Sequence, residues 1–222
     1  MVAAELIDPM LPVLKPTDTV GEALDWMQEY RLNQLVLADE GTYLGLLTEE
    51  VLMDAADTDQ TVGDVMHLYE QVYVYENQHL FELLSLSIEH RLDVLAVLNE
   101  GREVIGTVAV PGLIKQFATE LGVQEPGAVL ILQISERDYS LTEISRLVES
   151  NGLKIISSYF SGADYGNHNR SRLTLKLNRR EVGPVVSTLE RFGYPVETAY
   201  AHNPIENTDQ NRLDSLLRYL NT

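Results

Sequence analysis

"TVGEALDWMQEYRLNQLVLADEGTYLGLLTEEVL", Thr19 to Leu52, and "HLFELLSLSIEHRLDVLAVLNEGREVIGTVAVPGLI", His79 to Ile114, superpose at an offset of 60 residues. Val20, Leu24, Arg31, Leu32, Leu35 and Leu37 meet Leu80, Leu84, Arg91, Leu92, Leu95 and Val97. One additional residue in the second turn moves the offset to 61, after which Gly45 meets Gly106 and Leu52 meets Leu113. A tandem repeat therefore organises the first half of the chain. Each copy reads as a helix with apolar residues at helical spacing, a strand ("QLVLAD" or "DVLAVLN"), a glycine turn, a second strand and a closing helix. The closing helices are expected over Glu49 to Ala56 and Pro111 to Thr119. The turns "DEGTY" and "NEGRE" predict hairpins in which Gly41 and Gly101 supply a positive φ. "ELIDPM", Glu5 to Met10, and "TVGDVM", Thr61 to Met66, are matching lead-ins.

The second half has another design. "LGVQEPGAV" lacks periodicity and contains Pro126-Gly127, the signature of a linker. "AVLILQIS" is a β-rich run, and "SLTEISRLVESNG" sets Leu141, Ile144, Leu147 and Val148 on one helical face with Gly152 at a C-terminal cap position. "LKIISSYFS" and "SRLTLKLN" alternate as strands around "GADYGNHNR"; "REVGPVVSTLERFG" is a second helix and "YPVETAY" a last strand. The order βαββαβ predicts a ferredoxin-like fold. In the tail, Leu213, Leu216, Leu217 and Leu220 follow helical spacing after a cap at Thr208 or Asp209. Such a helix docks on its own chain or packs across a dimer.

The repeat, with its methionine-ended lead-ins, the strand starts at Leu32 to Leu35 and the Gly-h-h-Thr turn at Gly45 to Thr48, resembles a pair of CBS domains. From "ISERDYSLTEISRLVESNGLKIISSY" the region Ala128 to Tyr200 is similar to an ACT domain, and the combined architecture is similar to acetoin-utilisation-type CBS–ACT regulatory proteins. The expected fold class is α+β. The first CBS repeat occupies 1–58, the second 59–120, the linker 121–127, an ACT-like domain 128–202, and the tail with its helix 203–222. Both resemblances imply homodimerisation.

Acidic residues number 34 against 16 Lys and Arg, for a net charge of −18. Residues 1–120 carry 22 acidic and 5 basic side chains, and 121–222 carry 12 and 11. A first half of that sign repels phosphate backbones and anionic lipid, so neither nucleic acid nor membrane is an expected partner. A strongly phosphorylated ligand would need local compensation. The N-terminus lacks the pattern of a secretory signal and there is no cysteine, so a cytoplasmic location is the expectation.

Catalytic constellations are not expected. Thiol chemistry is excluded, His67, His79, His90, His168 and His202 lack metal-binding helical spacing, and no P-loop, G-x-S-x-G or G-x-G-x-x-G occurs. Asp54, Asp57, Asp59 and Asp64 lack the glycine and terminal glutamate of a calcium loop and read as a solvated linker.

The expectation is therefore a non-enzymatic regulatory protein that binds a ligand, or a protein-interaction scaffold whose ligand sites have decayed. In CBS domains an aspartate three residues after the turn threonine accepts from the ribose hydroxyls, and the adenine sits in an apolar slot of the strands. The resemblance thus points to Thr48, Glu50, Leu35, Val36 and Leu37 as a site for an adenosine-containing nucleotide such as AMP, ATP or S-adenosylmethionine. Here Val51 stands at the aspartate position, and Glu50, one residue early, is rotated by about 100° around the helix. The alternative is that Thr48 caps the helix while Glu49 and Glu50 complement its dipole. In the second repeat Ala109 and Gly112 replace both polar positions. The ACT resemblance implies an amino-acid site at Asp138, Tyr139 and Ser140, with Tyr139 where the family has glycine; a simple capped turn is the other reading. Arg170, Arg172, Lys176, Arg179 and Arg180 form a basic strip that suits an anion, the acidic half or solvent.

Overall fold

The structure, a computed structural model, describes residues 1–55, 57–65, 71–135, 137–162 and 171–201. Met66, His67, Glu136, His168, Arg170, His202 and the tail helix lie outside them. The chain divides into two compact units, Met1–Phe117 and Ala118–Thr222.

The repeat builds two copies of one frame. Strand β1 (Val13–Leu14) pairs parallel with β2 (Gln34–Asp39), which pairs antiparallel with β3 (Thr42–Thr48). Strands β4 (Tyr73–Tyr75), β5 (Val94–Leu98) and β6 (Val104–Ala109) repeat that order. Helix α1 (Val20–Tyr30) begins at a capping box of Thr19 and Glu22, and α3 (Leu80–His90) at one of His79 and Glu82. Each box satisfies two N–H groups that a helix start leaves unpaired. Leu35, Val36 and Leu37 are consecutive and have no exposure, as do Leu95, Ala96 and Val97. Alternate strand residues point to opposite faces, so both faces of each sheet are covered.

The lead-ins are exchanged. Asp8 N–H donates to the Thr107 carbonyl, and just before the lead-in Ala3 N–H donates to that of Gln78, so the first lead-in completes the second repeat. Reciprocally, Val62 N–H donates to Asp18 and Gly63 N–H to Pro16, so the second lead-in completes the first. A Cβ on Gly106 would overlap the Ile7 side chain, which explains the glycine there as a close-approach position.

The hairpins differ from expectation in one respect. In the first, Asp39 pairs with Thr42, and Glu40 and Gly41 both have positive φ, 46° and 85°, as a two-residue loop requires. In the second, the additional residue makes a three-residue loop. Arg102 N–H donates to Asn99, and the positive φ falls on Arg102 at 65°, not on Gly101. A type I turn followed by one left-handed residue places it there.

The closing helices are unequal. Helix α2 spans Glu49–Met53 and stops at Asp54, short of the expected Ala56, whereas α4 runs over Val110–Glu120. After α2 the chain turns back to receive Gly21 N–H at Thr58 and Val20 N–H at Gln60, which a longer helix would carry it past.

The second unit orders β7 (Ala128–Ile134), α5 (Leu141–Ser150), β8 (Ile155–Ser161), β9 (Ser171–Leu177), α6 (Gly183–Arg191) and β10 (Val196–Tyr200). Its sheet runs β10-β7-β9-β8, antiparallel throughout, the ferredoxin-like arrangement expected from βαββαβ. Leu130, Leu132, Leu173 and Leu175 pack with Ile144, Leu147, Val148, Val185 and Leu189 in one core. Gly152 has φ +73° just past α5, as its cap position requires. Within the basic strip, Arg172 makes two 2.8 Å bonds to Glu197 of the same sheet, so this charge is matched locally. Arg179 and Arg180 are exposed.

Candidate functional site

Strand β3 ends at Thr48, which adopts extended backbone and turns the chain into α2. Its hydroxyl oxygen accepts from Val51 N–H at 3.4 Å, a capping contact. Val51, at the position where the resemblance places an aspartate, is packed against the first unit's core, so no carboxylate occupies that direction. Glu49 and Glu50 are exposed in the first turn, where negative charge complements the helix dipole. Leu35, Val36 and Leu37 are enclosed in the core.

What the frame adds is a polar seam between the repeats beside Thr48. Thr48 pairs with Gln34 across β2 and β3, and Glu49 N–H donates to the Asn33 carbonyl at 2.8 Å. Both the backbone and the side-chain amide of Asn33 donate to Asp93 Oδ2, at 3.1 and 2.8 Å. Asp93 N–H returns a bond to Gln34 Oε1 at 3.2 Å, and the Asp93 carbonyl accepts from Val110 N–H at the start of α4. Asn33 and Asp93 occupy equivalent positions of "RLNQL" and "RLDVL". The repeat offset was the signal that these two polar residues meet, and Asp93 is the carboxylate that reading by motif passed over. In the second repeat Ala109 offers no acceptor and a Cβ on Gly112 would meet open space.

At the far end of the strands lies an aromatic cluster. The Tyr73 ring contacts Tyr43 and Tyr75 edge-on at 5.7 and 5.5 Å, and Arg102 donates to its hydroxyl at 3.0 Å. The Tyr75 hydrogen bond, assisted by Arg102, holds the Tyr73 phenol below its ordinary pKa, while Tyr75 is pushed up by the same bond.

In the second unit Asp138 is occupied by its own turn. Ser135 Oγ donates to Asp138 Oδ2 at 2.6 Å, and Asp138 N–H donates to the Ser135 carbonyl at 3.1 Å. Ser140 caps α5 by accepting from Glu143 N–H at 3.3 Å. Tyr139 lies edge-on against Phe160, 5.1 Å between ring centres. A concavity of about 280 Å³ opens between the β7–α5 and α6–β10 turns, lined by Gln133, Ser135, Asp138 and Tyr194 among others. Tyr194 is buried and donates to Glu143 Oε2 at 2.6 Å. Burial first, then the Glu143 carboxylate, push its phenol up to about 12. Sequence reading missed this pair, which stand 51 positions apart with no periodic link.

Among the described residues no group of three or more His, Cys, Asp or Glu is placed to hold a metal ion, and no helix is long and apolar enough to cross a membrane. Asp57 and Asp64 serve instead as turn acceptors, from Asp59 N–H and from the Thr61 hydroxyl.

Residues 3–58 match the family model of the CBS domain, so the first unit carries a CBS domain. Inosine-5'-monophosphate dehydrogenase of Methanocaldococcus jannaschii is 27% identical over 115 residues, 51% of this chain and 23% of that protein. The match thus spans under a quarter of that relative's length. Among solved structures, a CBS domain pair/ACT domain protein from Thermotoga maritima has 25% identity and a TM-score of 0.48, covering 55% of this chain and 99% of that one. CBSX2 in complex with AMP has 20% identity and a TM-score of 0.45, covering 53% and 96%.

Proposed function

We propose that this chain is a non-enzymatic regulatory protein whose first unit binds an adenosine-containing nucleotide beside Thr48 and the Asn33–Asp93 seam. The observation that carries the reading is the CBS domain match over residues 3–58, which includes the Thr48 turn. Thr48 supplies a hydroxyl, Glu50 follows it in the first turn of α2, and Asp93 is tied to Asn33, whose carbonyl accepts from Glu49 N–H. The surplus of 22 acidic over 5 basic side chains in residues 1–120 opposes multiple phosphates. Adenosine and the sulfonium-bearing S-adenosylmethionine are therefore expected to bind more tightly than ATP, with the ATP disadvantage shrinking as salt screens the repulsion.

Thermal shift against adenosine, AMP, ATP and S-adenosylmethionine tests the reading. A ligand at a hundred times its Kd raises stability by about 2.7 kcal/mol. No shift with any of the four at millimolar concentration would sink it.

The packed Val51 and the Asp138 carboxylate tied to Ser135 favour a second reading, a protein-interaction scaffold with closed ligand sites. Full occupancy of a small molecule in the purified protein would overturn that one. Amino-acid sensing by an ACT-like second unit rests on the concavity at Asp138, and isothermal titration against the twenty amino acids checks it.

A further inference from the structure

Helices α5 and α6 cover one face of the second unit's sheet, whereas the other face carries Val129, Ile131, Tyr159 and Tyr200, which belong to neither hydrophobic core. Strand register lays this face out in rows. Thr198, Ile131, Thr174 and Tyr159 stand side by side across the four strands, and Tyr200, Val129, Lys176 and Ser157 form the next row. Alternation directs them away from Leu130 and Leu132, which face the helices. Tyr159 and Tyr200, on the two edge strands, are 56% and 60% exposed, and Val129 and Ile131 between them are only half-buried. The Ser157 hydroxyl donates to the Leu121 carbonyl at 2.7 Å, so the linker marks one corner of the patch, and the Arg172–Glu197 pair bounds it on the other side.

We propose that this face is covered by the chain's own tail: a helix over residues 210–220 lies across the four strands and sets its Leu213, Leu216, Leu217 and Leu220 stripe on Val129 and Ile131. The tail lies outside the described residues, and its sequence supplies the stripe.

Reach, length and area select this occupant. Strand β10 ends at Tyr200, on the edge of this same face. Residues 202–209 span at most about 26 Å when extended, enough to round the edge strand. They are also short enough to hold the helix near the face at a local concentration on the order of millimolar. Eleven helical residues measure about 16 Å, against about 14 Å between the outer strands of a four-stranded sheet. The face itself, four strands by five residues, presents roughly 300 Å², well below the roughly 800 Å² per partner of a stable interface between separate molecules. A second copy on this face alone is therefore disfavoured, and a tethered helix needs far less area. A helix of this length is marginal in water by itself, so its leucine stripe requires a surface on which to fold.

The inference is independent of nucleotide binding, and its test uses the full-length chain without nucleotide. The chain has no cysteine, so introduced thiols report unambiguously. In the double variant Ile131→Cys, Leu217→Cys a short bismaleimide is expected to join the two thiols within one chain, read as an intact mass. The rate is expected to exceed by about tenfold that of Ile131→Cys, Arg218→Cys, whose second thiol has the same reach but sits about 100° further round the helix. Leu216→Asp, Leu217→Asp is expected to raise the fluorescence of a bound apolar dye by about fivefold, with the fold retained by circular dichroism, because the face is uncovered. Equal linking rates in the two double variants, or unchanged dye binding, would overturn the proposal. So would linking between chains, in a mixture of the single variants Ile131→Cys and Leu217→Cys, as fast as linking within one chain, since a second copy's tail would then be the occupant.

Discussion

At the end of β3 the first repeat keeps a hydroxyl that caps α2 and then turns the chain back after five residues; at the end of β6 the second has Ala109 and extends α4 for eleven. Both start their last helix with an N–H bond to the same place in the frame, Glu49 to Asn33 and Val110 to Asp93. The frame is thus duplicated while its surface has diverged. The first copy ends its hairpin in the Thr48 hydroxyl, the second exposes Phe81, Ile88 and Ile114, and the polar seam draws Asn33 from one and Asp93 from the other. A repeat that must hold a fold and also serve two roles can divide them in this way, because core positions answer to packing and the strand ends and helix faces do not.

Core truncation tests how equal the frames are. Leu35→Ala and Leu95→Ala remove equivalent side chains with no exposure and are each expected to cost about 3 kcal/mol in denaturant unfolding. A difference of more than about 1.5 kcal/mol between them would show that the repeats do not share the load.

Tyrosine titration contrasts the two units. Tyr194 has its folded pKa raised to about 12 from an ordinary value near 10, so the stability it contributes is fully present below pH ~10 and is lost as pH rises through about 12. The expected loss is about 2 to 3 kcal/mol, confined to the alkaline limb of an unfolding profile. Tyr194→Phe is expected to flatten that limb, and an unchanged slope would contradict the buried Tyr194–Glu143 bond. Tyr73, held low by Tyr75 and Arg102, is expected to ionise well before Tyr194 in a spectrophotometric titration.

The exchanged lead-ins give a smaller effect. Gly106→Ala places a methyl against Ile7 and is expected to destabilise by about 1 to 2 kcal/mol, with partial recovery in the Gly106→Ala, Ile7→Ala double variant. Simple additivity of the two would mean that the contact does not constrain the glycine. Smallest is the cap: Thr48→Ala is expected to cost about 1 kcal/mol, whereas the reverse change Ala109→Thr in the second repeat gains less than half of that. Measured with the nucleotide panel, Thr48→Ala also separates the cap from a ligand contact, because a cap alone lowers stability and leaves the ligand-induced shift intact.

Much of the frame was legible in the sequence. The 60-residue offset carried the tandem repeat, and apolar spacing carried α1, α3 and α5 because each has one face that must be buried. In the second hairpin the left-handed residue is Arg102 and not Gly101, because loop length, not the presence of glycine, decides which residue becomes left-handed. Helix α2 is shorter than its spacing predicts for a related reason. Glu49 to Ala56 has helical spacing, and only the need to bring Thr58 and Gln60 back to α1 stops it at Met53. Arg172 looked like part of a free basic strip until β10 brought Glu197 beside it.

By itself, then, the sequence determined which segments bury which side chains, since periodic apolar positions leave the chain few ways to remove them from water. It also determined the absence of thiol chemistry and the acidic character of the first half. Only the tertiary structure decided which polar residues share a site. Arg172 with Glu197 and Tyr194 with Glu143 are pairings of single atoms, fixed by strand register and helix packing to within a hydrogen-bond length, and no one-dimensional spacing encodes distances of that order across elements.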